Sequence, residues 1–426
     1  MPTLEQLSDD LWRGVHTTAE HDHHPFRVLD QIEEVADGVA FYKAFSNITT
    51  VQSNEGCVLI DTGSFNPDAH SKSFDKVRSW TKSPIDTAVY THGHVDHAYG
   101  LPPFLAEAKE KGWDTPDIVG HERVVARMDR YIETAGYNEV INERQFGFPI
   151  EWPIDPIYPT QTYDESMDLF VNGIEFNLHH AQGETDDHTW VFLPKQRVLC
   201  TGDLFIWAAP NAGNPQKVQR YIIEWARALR RMAEYKPEVL LPGHGVPVFG
   251  ADRVHAVLLD TAAYLESIYE QTLNGMNAGA SVDELIHTVK PPGHLTEKPY
   301  LQPVYDEPEF IVRNIHRCLG GWYSGTPSEL KPAPRTEQSK EIAALAGGID
   351  KLIERADAML SGQNFRMASH LADWAVEADP KNHDAHAVRA RVYDARKKHE
   401  PSTMAKGIYG AAARDAKRNA ENLERL

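Results

Sequence analysis

Two kinds of hydrophobic pattern follow one another along the chain, and the change falls near residue 250. Before it, short apolar runs are bounded by Gly, Asn, Asp and Ser. "VAFYKAF", "ITTVQS" and "GCVLIDTGS" read as strands between turns. "PIDTAVYTH" is a short apolar run of a fully buried strand. "DLFVNGIEFNLHH" is two strands joined by Asn172-Gly173, the strongest short hairpin signal. "HTWVFLP", "RVLCTGD" and "PEVLLPGHG" continue the series. Helical spacing appears at 68–80, 101–111, 121–135 and 215–235, the last with Pro215 near its start. Residues 137–165 are rich in Pro, Gly and Asn and read as a long loop. Two strand blocks separated by helices predict two sheets with helices outside.

Beyond residue 250 the pattern is helical. "ADRVHAVLLDTAAYLESIYEQTLNGM" is one long helix, and Ser281 with Glu284 is a capping box. "LKPAPRTEQS" (330–339) reads as a linker, and four helices follow from 346, broken near Gly362, Asp379-Pro380 and Pro401. The first two are weakly similar to one tetratricopeptide unit, which does not make a solenoid by itself. The expected domains are an N-terminal arm (1–36), an α/β domain (37–250) and an all-α region (251–426).

Composition narrows the class. With 41% hydrophobic and 25% charged residues the chain is ordinary globular protein, and 426 residues suit two or three domains. The net charge of -19 repels nucleic acid and anionic membrane surfaces. No apolar run is long enough to span a bilayer, and the acidic start lacks the layout of a signal peptide, so a cytoplasmic protein is expected. Cys57, Cys200 and Cys318 match no disulfide framework or cysteine-type zinc site and read as buried thiols.

The chemistry concentrates at "THGHVDHAYG" (91–100). His92, His94, Asp96 and His97 fall within six positions at a strand end. In extended backbone His92 and His94 point the same way, while Asp96 and His97 continue round the turn toward a second ion. Two ions would share a hydroxide. Four residues cannot close two sites, so later strand ends must supply ligands. Glu184, Asp186, Asp187 and His188 lie in "AQGETDDHTW", Asp203 in "CTGDLF" and His244 in "LPGHGVP". An aspartate straight after a buried strand needs a partner. Gly202 and Gly243 let the backbone come close. Asp61 in "IDTGS" reads as an acid that orients a ligand or forms a turn. The His-rich "HTTAEHDHHPF" (16–26) reads as a solvated or loosely packed arm, and "RALRR" as a solvated helix face. No phosphate loop, nucleophile elbow or dinucleotide fingerprint is present.

"VLIDTGS", "THGHVDH", a Gly-containing loop, "TGD" and "PGHG" occur in the order of the metallo-β-lactamase superfamily. The resemblance implies an αββα sandwich over residues 37–250 with a dinuclear site on its edge. A narrower resemblance is to the alkylsulfatases. They too use a glutamate where most of the superfamily has histidine, as in "GETDDHTWVFLP", and "FSNITTV" is similar to their early strand. "VRNIHRCLGGWYSGTPSEL", "LAGGIDKLIERA" and "ADPKNHDAHAVRA" resemble their helical dimerisation domain, which implies a catalytic domain at 37–250 and a dimerisation domain at about 300–400. The resemblance implies a homodimer and two zinc ions, with Mn or Fe also accommodated by the oxygen donors. One ion would be held by His92, His94 and Glu184, the other by Asp96, His97 and His244. Asp203 would bridge them where relatives often have glutamate. His188 and His180 are rivals to Glu184. Asp96 and Asp203 would orient a bridging hydroxide.

Alkylsulfatases hold the sulfate between the bridging acid and the next helix. Here that stretch, "LFIWAAPNAGNPQK", has no arginine or histidine, and Lys217 and Arg220 fall inside the expected helix. Trp207, Asn211 and Asn214 would face the pocket instead. The chain also ends near where a sterol-carrier-like domain begins in larger alkylsulfatases, which points away from long-chain sulfates. The expected activity is hydrolysis of a sulfate ester of a small organic alcohol, the alternative a carboxylic ester or lactone on the same site. A non-catalytic binder of a small molecule would leave ligand positions unfilled, and all seven are filled.

Overall fold

The computed structural model describes residues 2–424. The chain divides into two compact units, one of residues 1–135 and 152–319, the other of residues 136–151 and 320–426. The first holds two sheets. One has seven strands in sequence order: β1 (Gln31–Ala36), β2 (Val39–Lys43), β3 (Ile48–Gln52), β4 (Cys57–Ile60), β5 (Ile85–Val89), β6 (Asp117–His121) and β7 (Gln161–Tyr163). Pairing is antiparallel from β1 to β4 and parallel from β4 to β7. The other has six strands: β8 (Ser166–Val171), β9 (Ile174–Ala181), β10 (His188–Leu193), β11 (Val198–Gly202), β12 (Val239–Pro242) and β13 (Val248–Phe249), in reverse order across the sheet. Only the β11–β12 pairing is parallel there.

Parallel neighbours need crossovers, and helices supply them. Helix α1 (Leu4–Trp12) precedes the sheets. Then α2 (Pro67–Trp80) links β4 to β5, α3 (Pro102–Lys111) links β5 to β6, and α4 (Arg123–Glu133) with α5 (Ala135–Phe146) follows β6. Helix α6 (Ile222–Glu234) links β11 to β12. The central strands are covered on both faces, and β2, β4 and β10 are buried throughout. Strand β8 at the sheet edge alternates exposed with covered positions, so only one face is packed. The expected hairpin is present: Asn172 and Gly173 both have positive φ, 45° and 87°, the backbone a two-residue turn requires.

One hydrophobic core joins both sheets. It runs from Phe41, Val58 and Ile60 through Leu178, Val191 and Leu199 to Val254, Leu258 and Ile311. The long helix α7 (Ala251–Asn277) and the helix Pro308–Gly320 therefore pack with the sandwich. The change of composition at residue 250 is a change of element type within one compact unit. Ser281 and Glu284 form the expected capping box. The second unit contains helices Arg335–Ala346, Ile349–Ser361, Phe365–Ala378, His383–His399 and Thr403–Glu424. Its core is small residues and aliphatics, among them Leu352, Ala356, Ala368, Ala372 and Val388. Among the described residues no helix is long and apolar enough to cross a membrane.

Several expectations need correction. The His-rich stretch 16–26 is mostly solvated, as expected, with only Thr18 and Pro25 buried, but the arm before it is a helix: Leu4, Leu7 and Leu11 form one buried face of α1, which Thr3 and Gln6 cap reciprocally. Residues 135–146 are helical rather than loop. Their buried positions are Asn138, Ile141, Asn142 and Gln145, mostly polar, so no apolar period marks them. Gly407 packs against the Gln145 backbone, where a β-carbon would stand 1.8 Å from its carbonyl oxygen. The stretch 330–339 is already helical from Arg335. Cys57 and Cys200 are buried as expected, but Cys318 is exposed.

Candidate metal centre

Every ligand candidate lies where a strand ends. His92, His94, Asp96 and His97 follow β5, Glu184 sits between β9 and β10, Asp203 follows β11 and His244 follows β12. Two sets of ligand atoms gather within 4.8 Å each: His92, His94, Glu184 and Asp203, then Asp96, His97 and His244. Asp203 lies between them. Its Oδ1 is 3.3 Å from His97 Nε2, and its Oδ2 is 3.3 Å from His244 Nε2 and 4.0 Å from His92 Nε2. Glu184 Oε2 is 3.4 Å from His94 Nδ1 and 3.7 Å from His92 Nε2.

The backbone allows this convergence only because Gly243 has no side chain. A β-carbon there would stand 2.1 Å from Asp203 Oδ1 and 2.9 Å from His97 Cε1. At Gly202 it would meet His188 Nε2 at 2.5 Å and the Thr91 hydroxyl at 2.8 Å.

Surrounding groups fix each ring. Asp61 Oδ2 lies 2.8 Å from His97 Nδ1, and His244 Nδ1 donates to the Phe45 carbonyl at 2.6 Å. His92 Nδ1 faces the Thr91 hydroxyl at 2.9 Å. Those contacts leave His92, His97 and His244 with Nε2 directed inward, the arrangement in which an outer partner sets the tautomer of a ligating histidine. Ser46 donates to Asp96 Oδ2 at 2.9 Å. Asp187 accepts the Gly93 N–H and Arg127 Nε, both at 2.8 Å, and so braces the loop between His92 and His94. Arg127 also pairs with Asp186.

The donors fit divalent cations. Glu184 Oε2 and Asp203 Oδ1 are buried oxygens without a hydrogen-bond partner. His92 Nε2 and His94 Nδ1 face each other at 2.8 Å, His97 Nε2 and His244 Nε2 at 3.4 Å. Inward nitrogens and carboxylate oxygens without protons to share need a cation between them. The electrostatics agree at two of the histidines. Burial holds His92 and His94 well below the usual imidazole range, as metal ligation requires. Burial opposes charge at His97 as well, but Asp203, Asp96 and Asp61 outweigh it and raise it. Burial lifts Glu184 to about 7, opposed by Arg220.

The rivals to Glu184 do not converge. His188 stacks on His92 with centroids 4.5 Å apart, its Nε2 toward the Thr201 carbonyl, and His180 stacks on His121. The expected pocket residues divide. Asn211 Nδ2 donates to Glu184 Oε1 at 2.6 Å, and Asn214 is buried with its Nδ2 unpartnered. Trp207 is turned away. It is wholly buried, its indole N–H donates to the Val246 carbonyl at 2.7 Å, and its ring packs near Tyr300 and Phe205.

The structure adds two cations that the sequence pattern hides. Helix α6 begins at Ile222, not Pro215, so Lys217 and Arg220 lie on irregular chain and turn inward. Arg220 Nη2 donates to Glu184 Oε1 at 3.2 Å, and its Nε is buried without a partner. Lys217 lies 5.8 Å over the Trp152 ring, in the field of Asp96 and Glu184. Tyr131 stands beside His94, with ring centroids 6.3 Å apart. The arm contributes Phe26, edge-on to His244 at 4.5 Å and to Tyr305 at 4.6 Å. None of these carries a motif. Only an apolar or cationic residue next to a turn marks them, which is too common a signal.

Comparison with known proteins agrees with this geometry. Residues 42–244 match the family model of the metallo-beta-lactamase superfamily, so the sandwich belongs to that class of metal-dependent hydrolase fold. Residues 281–419 match the model for alkyl sulfatase dimerisation, so the chain pairs a metallo-beta-lactamase domain with an alkylsulfatase-type dimerisation domain and is similar to the alkylsulfatases over most of its length. A linear primary-alkylsulfatase of Pseudomonas sp. (strain ATCC 19151) is 28% identical over 80% of this chain and 69% of its own length. An alkyl/aryl-sulfatase of Saccharomyces cerevisiae is 24% identical over 89% of this chain and 61% of its own. The stereoselective inverting sec-alkylsulfatase of Pseudomonas sp. has the same fold, with a TM-score of 0.80 and 23% identity over 89% of this chain and 65% of that one. The chain thus spans about two thirds of the length of these relatives.

Proposed function

We propose that the chain is a metal-dependent hydrolase that cleaves a sulfate ester of a small organic alcohol. The observation that carries the reading is the convergence of seven donors from four strand ends around unpartnered buried oxygens of Glu184 and Asp203. His92, His94 and Glu184 would hold one zinc ion and Asp96, His97 and His244 the other, with Asp203 shared. Manganese or iron would also suit the three carboxylates. Such ions supply Lewis acidity and lower the pKa of bound water toward neutrality.

The chain's own groups do the rest. Asp96, steadied by Ser46, and Asp203 would accept a hydrogen bond from the attacking oxygen and set its direction. Asn211 and Arg220 keep the Glu184 carboxylate in place. Lys217 and the free edge of Arg220 would meet the anionic end of the substrate, and buried cations there strengthen its charge recognition. The aromatic rings of Phe26, Tyr131, Trp152 and Tyr305 would exclude water around the alcohol part. The names of the alkylsulfatase relatives support the sulfate ester.

A second reading, hydrolysis of a carboxylic ester or lactone, rests on one observation. Arg220 already spends one arm of its guanidinium on Glu184, which leaves less positive charge for a sulfate. A panel of aryl sulfate, aryl acetate and lactone substrates separates the two, since sulfate turnover with little esterase activity is expected. Metal analysis of the purified protein should give two equivalents of zinc per chain, and a stable metal-free protein would refute the site. The match to alkyl sulfatase dimerisation supports a homodimer, and light scattering should give twice the chain mass.

A further inference from the structure

The arm beside His244 carries a second cluster of metal-capable side chains. His16, Glu20 and His23 each offer a ligand atom, and the three atoms lie within 4.8 Å of one another. His16 Nδ1 is 3.2 Å from Glu20 Oε2, and His23 Nε2 is 3.8 Å from the same oxygen. Local backbone enforces the gathering. The Glu20 amide donates to the Thr17 carbonyl at 3.0 Å, and the His23 amide to the Glu20 carbonyl at 3.1 Å. Two successive turns therefore fold His16 and His23 onto one side of Glu20, with their rings stacked 4.0 Å apart. The Thr17 amide also donates to Glu20 Oε1 at 3.1 Å, which holds the other carboxylate oxygen toward the rings.

We infer that His16, Glu20 and His23 form a binding site for a divalent transition ion of the zinc class, separate from the seven-residue centre. Two imidazole nitrogens and one carboxylate oxygen suit zinc, cobalt or nickel, whereas magnesium and calcium require more oxygen donors. Tetrahedral zinc with bonds of about 2.0 to 2.1 Å sets its ligand atoms about 3.4 Å apart. His16 and Glu20 already stand at that spacing, and His23 has to close by a few tenths of an ångström. Solvent reaches the cluster, since the Glu20 side chain is 47% exposed, and water would complete the shell. The site has a structural consequence. The chain runs straight on to His24, whose Nε2 faces the Val304 carbonyl, and to Pro25, whose carbonyl accepts the Gly245 N–H at 3.0 Å. Phe26 then meets the His244 ring. An ion at His16, Glu20 and His23 fastens the segment that walls the His244 end of the centre.

The test is a metal count on the full chain without a polyhistidine tag. Protein is loaded with Co2+ or Zn2+, desalted, and analysed as the parent and as the H16A/H23A variant. The parent should hold one equivalent per chain more than H16A/H23A. The same difference is expected in an H92A/H94A background, so the result stands whether or not the main centre loads. Equal metal content in parent and variant, with circular dichroism unchanged, overturns the inference. Should H16A/H23A lose its fold, E20Q serves, since that exchange at an exposed position removes only the anionic ligand. E20Q should lose the same equivalent, and full retention of it again overturns the inference.

Discussion

Asp61 Oδ2 lies 2.8 Å from His97 Nδ1, and both oxygens of that carboxylate are held from Thr91, by its amide at 2.8 Å and its hydroxyl at 2.8 Å. A strand-end acid is thus locked before it meets the histidine, and His97 can turn only its Nε2 to the site. Removal of such a partner costs about 10- to 100-fold in metal affinity or activity. Asp61→Ala should therefore weaken metal binding by that factor while all seven candidate ligands remain. Competition with a chromogenic chelator measures it, and an affinity equal to that of the parent would show that Thr91 and packing alone orient His97.

Gly243 is the second constraint. Gly243→Ala puts a methyl group 2.1 Å from Asp203 Oδ1, with Gly202 backbone and His97 both 2.9 Å away. Neither neighbour is the end of a flexible chain, so Asp203 has to move. The expected result is loss of bound metal and of turnover, with thermal unfolding still cooperative. Gly136→Ala is the matching control, because nothing lies within 4 Å there and alanine favours a helix. A Gly243→Ala protein with full metal content would mean that the two strand ends are further apart than they stand here.

These two residues show what the sequence could and could not reveal. His92, His94, Asp96 and His97 are close in the chain, so their shared role is legible without a fold. Asp203 and His244 follow buried strands, and polar residues at that place ask for a partner. Asp61 is legible for the same reason. Lys217 and Arg220 are not, because the segment before α6 keeps a helical spacing of apolar residues although its backbone is irregular until Ile222. Helix α5 is hidden for the opposite reason, since polar side chains fill its buried face. The packing of α1 on the core is masked by its composition: three leucines among acids and polar residues carry the apolar burial.

Lys217 separates the two substrate readings. Burial, with Arg220 nearby, pulls its ammonium down to about 7. It therefore keeps much of its charge in mildly acidic buffer, where it can recognise an anion. A hydrogen bond to a charged group contributes about 1.5 to 3 kcal/mol, or roughly 10- to 100-fold in affinity. Lys217→Met should raise KM for an aryl sulfate by that factor at pH 6 and leave KM for a neutral aryl acetate nearly unchanged. Steady-state kinetics on both substrates decide it. Equal effects on the two would remove Lys217 from anion recognition.

Asp306 offers a stability test away from the metal residues. It is wholly buried, and its two oxygens accept the Gly213 N–H at 2.6 Å and the Glu307 N–H at 2.7 Å. It thereby ties the loop that carries Asn211 to the start of the helix Pro308–Gly320. Burial raises its carboxyl to about 7, while the two N–H donors act in the opposite direction. The native chain then keeps a proton between about pH 4 and 7 that the unfolded chain has lost. Stability from this group must fall as pH rises through that window, with no penalty below it and the full penalty above it. Each unit of pKa difference is worth about 1.4 kcal/mol, so the penalty is at most a few kcal/mol. Asp306→Asn removes the titration and leaves a constant cost, because the amide group turns a donor toward one of the two N–H groups. Urea unfolding at pH 5 and pH 7.5 should show a smaller loss of stability in Asp306→Asn than in the parent. Parallel losses in the two proteins would place the Asp306 pKa near its ordinary value, with the two N–H donors fully offsetting burial.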